Sequence, residues 1–272
     1  MEIPEKYVPE NIMRGMFGIY ARRLLIEKIS RTGDHFCIDG EPLLDRQKRT
    51  LPIDVDTFGC IGYGFFKDKY TIYGLTYTMT KNTEKYFFTP LKHADLDTFE
   101  PISMLYGKDK NGCYFAEGGK TIKENHVRPL IHYTNSYQDE NFPHLKATHT
   151  WSSDIALGQD FVYNRGMKIK DADAGTFEQI GQYYYRDAHR IYMANGYSIK
   201  ALENIDAPSF IVLSDASPGM ATDLYQPLIC YRSQSRPEEW FAYYRKYFEA
   251  RRGQISEDYW WYKLEQTMKK DL

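Results

Sequence analysis

From Phe36 to about Tyr231 apolar and polar positions alternate in short runs broken by turn residues, the period-two pattern of half-buried strands. Asp39-Gly40, Lys110-Asn111-Gly112, Asn164-Arg165-Gly166 and Asn195-Gly196 stand between such runs and supply the positive φ angles that tight hairpins need. Outside this region the period changes. Ile12, Met16, Ile19, Tyr20, Leu24 and Ile26 share one helical face, predicting a helix over residues 11–30 that Arg31-Thr32-Gly33-Asp34 stops. Near the other end Ser235 is a candidate N-cap, Pro237 suits a first turn, and Glu238 and Glu239 complement the positive end of the dipole. Trp240, Phe241, Tyr244, Tyr247 and Phe248 follow at helical spacing until Gly253, and a second helix is expected from Ser256 to about Lys270. The pattern therefore predicts a mainly β chain, α+β overall. Its parts are a helical segment at 1–35, a β region at 36–232 and a C-terminal helical cap at 233–272.

The β region repeats itself. Asp54-x-Asp56-Thr57-Phe58-x-x-Ile61 leads to Lys67-Asp68-Lys69 and Tyr73, and Asp95-x-Asp97-Thr98-Phe99-x-x-Ile102 leads to Lys108-Asp109-Lys110 and Tyr114. A third copy runs Asp171-x-Asp173, two extra residues, Thr176-Phe177-x-x-Ile180, Arg186-Asp187 and Tyr192. A worn fourth begins at Asp206-x-x-Ser209-Phe210-x-x-Leu213, reaches Tyr225 at the expected distance, and reads as having lost its Asp-Lys. Spacings near 38 residues predict about five degenerate β-meander or hairpin repeats, with an expanded, irregular unit at about 123–160. Because Phe, Ile and Tyr persist while Asp-Lys does not, the apolar positions read as structural grammar and the charges as turn chemistry. An Asp-Lys pair of this kind reads as a turn with a solvated ion pair.

These residues resemble a bacterial repeat family named for its DKNYY motif. Ala94-Asp95-Leu96-Asp97-Thr98-Phe99-Glu100 with Tyr106-Gly107-Lys108-Asp109-Lys110-Asn111-Gly112-Cys113-Tyr114-Phe115 carries the resemblance most fully. Ala172-Asp173 through Glu178, with Asp187 and Tyr192, carries it next. It covers about residues 36–230, and Ala188 stands where a Lys is usual. The resemblance implies a bacterial protein of binding type and brings no activity with it.

Composition narrows the function without naming it. A formal net charge of −2 over 272 residues argues against a role built on neutralising nucleic-acid phosphates. The 24 tyrosines suit both strands and binding surfaces. Cys37, Cys60, Cys113 and Cys230 form no C-x-x-C pair and read as buried, reduced thiols. Neither a signal-peptide pattern nor a run of eighteen apolar residues is written, so a cytoplasmic location without membrane insertion is expected. The Asp-x-Asp pairs lack the further oxygens of a calcium loop, and His126, His132, His144 and His149 lack zinc spacing. No P-loop, nucleophile elbow or dinucleotide fingerprint occurs. The expectation is a non-enzymatic protein-binding chain without catalytic residues, cofactor or metal. In its most specific form it is an immunity protein that occludes the active site of a cognate toxin. The expected contact residues are Tyr133, Tyr137, Asp139, Glu140 and Trp151 in the irregular segment, with Trp260 and Trp261 near the end. The alternatives are a carbohydrate- or cell-envelope-binding repeat protein, tested at Tyr114 and Tyr192, and a hydrolase with a dispersed site.

Overall fold

Short apolar runs punctuated by Gly, Asn and Asp fold as hairpins, and the hairpins assemble into small antiparallel sheets. The structure is a computed structural model. It describes residues 29–270 except 34, 39, 63, 81–82, 104, 118–119, 125, 132–134, 139–145, 150–151, 182, 196–197, 215–218 and 230–236. Two compact units form, Met1–Lys168 and Ile169–Leu272. This division falls between repeats, not at the ends of the β region. Residues 11–28 of the expected N-terminal helix lie outside the described residues. At its expected end the chain is already extended, because Ile29–Thr32 forms a strand.

In the first unit, β1 (Ile29–Thr32), β2 (His35–Ile38) and β3 (Glu41–Pro42) make a three-stranded sheet. The next sheet holds β4 (Gly59–Gly62), β5 (Phe65–Lys67), β6 (Ile72–Thr80) and β7 (Thr83–Pro90) in sequence order. β8 (Glu100–Pro101), β9 (Tyr106–Asp109), β10 (Gly112–Phe115) and β11 (Lys120–Ile122) repeat it. The irregular segment is a repeat with an arm inserted between its first two strands. β12 (Arg128–Ile131) pairs with β15 (Ser152–Leu157), followed by β16 (Val162–Asn164) and β17 (Met167–Lys168). Between them β13 (Asn135–Gln138) pairs with β14 (Lys146–His149), and this second strand pair is the β-arm.

In the second unit β18 (Glu178–Gln179), β19 (Tyr184–Arg186), β20 (Ile191–Asn195) and β21 (Ser198–Ala201) form another four-stranded sheet. β22 (Ile211–Ser214), β23 (Met220–Thr222) and β24 (Pro227–Ile229) form a three-stranded one. The helices α1 (Pro237–Ala250) and α2 (Trp260–Lys270) follow. Gly253, at φ +80°, ends the first as its lack of Cβ allows. α2 starts later than expected because Ser256 and Asp258 hydrogen-bond to each other in a turn ahead of it.

Aromatic side chains fill the sheets' inner faces. Phe58 stacks on Phe66 at 5.6 Å between ring centres and meets Tyr73 and Phe88 edge-on. Neighbouring repeats in the first unit touch through Phe65 and Phe99, 5.3 Å apart, and through Gly74. A Cβ at Gly74 would lie 2.5 Å from the Ala116 carbonyl oxygen, so this close approach of two backbones admits only glycine. In the second unit Tyr244, Phe248, Tyr259, Trp261 and Tyr262 pack on Leu213 and Met220 of the last sheet. The helical pair thus covers the end of that sheet, with the Tyr244 hydroxyl 3.1 Å from the Leu228 carbonyl of β24.

Candidate functional site

The sequence phrase converges on one carboxylate per repeat. Asp68 sits where β5 turns into β6, and its Oδ1 accepts the N–H of Tyr70 and Thr71 at 2.8 and 2.7 Å. This is an Asx turn, an aspartate bonding the backbone two and three residues on. Its Oδ2 accepts the Asp54 N–H at 2.9 Å and the Tyr73 hydroxyl at 3.0 Å. One buried side chain therefore ties the turn, the incoming loop and the next strand. Asp109 repeats this with Asn111, Gly112, Asp95 and Tyr114, and Asp187 repeats it with His189, Arg190, Asp173 and Tyr192.

A threonine completes the unit. The Thr57, Thr98 and Thr176 hydroxyls donate to Asp54, Asp95 and Asp173 at 2.7, 2.8 and 2.6 Å. Their oxygens accept the N–H of Lys69, Lys110 and Ala188, the residue after each turn aspartate. The lysine side chains pair not with the adjacent aspartate but with Asp54 and Asp95, at 2.7 and 2.5 Å. Ahead of the loop aspartate, His93 and Asp171 take left-handed φ angles of 74° and 59°. That conformation turns their carbonyls toward Tyr114 and Tyr192, whose hydroxyls lie 3.0 and 3.4 Å away.

This geometry corrects the sequence register in two places. Asp173, not Asp171, matches Asp54 and Asp95, so the third copy has no extra residues between Asp and Thr. The last copy has kept its aspartate and lost its tyrosine. Asp223 is fully buried and accepts the N–H of Tyr225, Gln226 and Asp206, while Leu228 stands five residues on, where tyrosine stands elsewhere. Tyr225 instead matches Tyr70, and both are exposed, at 67% and 68%. Ser209 replaces the threonine and accepts the Leu224 N–H. At the other end, β1 and β2 keep a reduced form in which the Cys37 thiol lies 3.9 Å from the Thr32 hydroxyl.

Electrostatics match this division of labour. Burial works to raise the Asp187 pKa, yet the bonds from Tyr192, Asp173, His189 and Arg190 bring it below the ordinary value. Burial, with the facing aspartate, pushes Tyr73, Tyr114 and Tyr192 far up, so these phenols stay protonated. The Lys110 ammonium, aided by Thr98, brings Asp95 down to about 2, and Lys69 lowers Asp54 in the same way. At Asp187 a carboxylate held in its charged form faces protonated donors, a structural clamp that is strong because one partner is charged.

The residues expected to bind a partner fall in different settings. Tyr133, Asp139, Glu140 and Trp151 lie outside the described residues, and Tyr137 lies on β13 in the arm. Trp260 and Trp261 are drawn into the helical packing. Trp261 is 4% exposed and stacks on Phe248, so burial removes it from any surface. Trp260 is half-buried and its indole N–H donates to Thr222 Oγ1 at 2.8 Å. Tyr114 and Tyr192, the glycan-binding candidates, are buried. Sequence reasoning missed the aspartate's role, although a constant fourteen-residue interval from Asp54, Asp95 and Asp173 to Asp68, Asp109 and Asp187 marked it. Among the described residues no group of three or more His, Cys, Asp or Glu side chains is placed to hold a metal ion. Among them, too, no helix is long and apolar enough to cross a membrane.

A family model described as the DKNYY family covers residues 77–227. No curated protein and no solved structure matches the chain.

Proposed function

The chain belongs to the DKNYY family, and on that premise we propose that it is a non-enzymatic protein-binding repeat protein. In its most specific form it is a bacterial immunity protein that blocks a cognate toxin's active site. The observation that carries this reading is the internal use of the repeated chemistry. Each turn aspartate has its carboxylate taken up by its own turn and loop, with a tyrosine hydroxyl added in three repeats. What distinguishes one repeat from the others is the β13–β14 arm between its first two strands, and irregular additions to a regular scaffold are where repeat proteins meet partners. The test is co-expression with the products of adjacent genes, scored for a stable complex and for survival of cells challenged with a neighbouring toxin. Absence of both sinks the reading. The proposal places the protein in the cytoplasm, which cell fractionation checks.

A second reading has its own support. Tyr70 and Tyr225 stand exposed at the same position of two turns, two residues after the buried aspartate. Exposed aromatic faces at repeated turns suit sugar rings. A glycan array that binds the wild-type chain and loses signal on Tyr70→Ala with Tyr225→Ala favours this reading over the first.

A further inference from the structure

The arm-bearing repeat departs from the others at one atom group. Five residues before Tyr163, where Asp68, Asp109 and Asp187 stand before their tyrosines, the chain has Gly158. The turn itself is retained. Gly158 N–H donates to the Phe161 carbonyl at 2.8 Å, as Asp68 does to Thr71 and Asp187 to Arg190, each at 3.0 Å. The missing carboxylate is supplied by Glu124, 39 residues before Tyr163. The Tyr163 hydroxyl donates to Glu124 Oε1, and the Gln159 N–H donates to Oε2 at 2.8 Å. The two arrangements exclude each other in space. A Cβ at Gly158 would stand 2.0 Å from Glu124 Oε2 and 2.8 Å from its Cδ.

Glu124 precedes β12 and Gly158 follows β15, and these strands are the two feet of the arm, paired through Arg128 and Leu157. We infer that Glu124 is a relocated clamp carboxylate that clasps both feet of the β-arm to the repeat that carries it. In the other repeats the carboxylate closes its own turn and a loop reaching back 14 residues, or 17 in the last copy. Here it spans the whole insertion, joining the residues ahead of β12 to the turn after β15 and adding a side-chain tie to the backbone ladder between those strands. This goes beyond the binding proposal and does not depend on it.

The experiment is hydrogen exchange with mass spectrometry on the full chain, comparing Glu124→Ala, Gly158→Asp and the double variant. Glu124→Ala is expected to speed exchange across 155–164 and the arm's feet by roughly tenfold or more, since the bonds from Tyr163 and Gln159 are both lost. Segments 65–75 and 184–193, whose clamps are local, keep wild-type exchange. Gly158→Asp alone perturbs the same region, since two carboxylates then compete for one space. Glu124→Ala with Gly158→Asp restores protection, because the aspartate returns the clamp to its usual place. Unchanged exchange in Glu124→Ala overturns the inference, and so does a double variant no better protected than either single. If Glu124→Ala fails to fold, a folded double variant supports the clasp and an unfolded one overturns it.

Discussion

Asp187→Asn is the sharpest probe of the clamp, because it changes charge and donor pattern while keeping shape. Oδ2 accepts from Asp173 N at 3.1 Å and Tyr192 Oη at 2.6 Å, and Oδ1 accepts from His189 and Arg190 N, each at 2.8 Å. An amide must put its NH2 at one of these places. At the Oδ1 place it would face two backbone donors; at the Oδ2 place it faces one, the Asp173 N–H, because the Tyr192 hydroxyl can turn to the Asp171 carbonyl and accept, and in either case the bonds that remain lose their charge. Bonds to charged groups contribute about 1.5–3 kcal/mol each, and buried donors left unpaired cost about 1–3 kcal/mol, so the substitution should cost roughly 3–5 kcal/mol after relaxation. Tyr192→Phe removes a single donor and leaves the carboxylate three others, at roughly 1–2 kcal/mol. The assay is urea titration of the full chain, with hydrogen exchange read on 184–193 and, as an internal control, on 65–75. The pH dependence carries a second signature. The Asp187 pKa is lowered on folding, so its stabilisation is present above the unfolded value of about 3.9 and is lost as pH falls through the lower folded value. Asp187→Asn should therefore flatten this part of the acid slope below about pH 4. A variant within about 0.5 kcal/mol of wild type, or a larger cost for Tyr192→Phe than for Asp187→Asn, refutes the clamp.

Three further outcomes follow from the same packing. Gly74→Ala places a methyl 2.5 Å from the Ala116 carbonyl and should cost about 1–3 kcal/mol, read as a lower urea midpoint. Trp261→Ala should cost about 3–5 kcal/mol through the cavity left beside Phe248, read by thermal unfolding, whereas a surface tryptophan would leave stability unchanged. Burial pushes the Cys60 and Cys113 thiols up to about 11, so at pH 8 iodoacetamide should modify them in urea but not in the native chain, as mass spectrometry would show.

The expected β-meander repeats and C-terminal helices are present, since alternation, Asn-Gly turns and caps act over neighbouring residues. The register of the repeats was harder to read. Asp171 and Asp173 look alike in sequence, and only the bond from Asp173 N–H to Asp187, with Thr176 bonded back to Asp173, selects the second. Tyr225 looked like the preserved tyrosine of the last copy, yet its side chain points to solvent and its backbone N–H is what Asp223 binds. Trp260 and Trp261 looked like surface aromatics because a helical wheel leaves open which neighbour will cover it.

The chain's periodicity by itself determined that this is a repeat protein of hairpins, because side-chain alternation and turn preference are local properties of the backbone. Which charges are structural was decided only in three dimensions. Lys69 and Lys110, adjacent in sequence to Asp68 and Asp109, bond instead to Asp54 and Asp95, and Asp68 and Asp109 bind backbone and tyrosine. Glu124 is the extreme case. Nothing near it in sequence marks it as a clamp, because its partners lie 35 and 39 residues away and the space it fills exists only where residue 158 has no side chain.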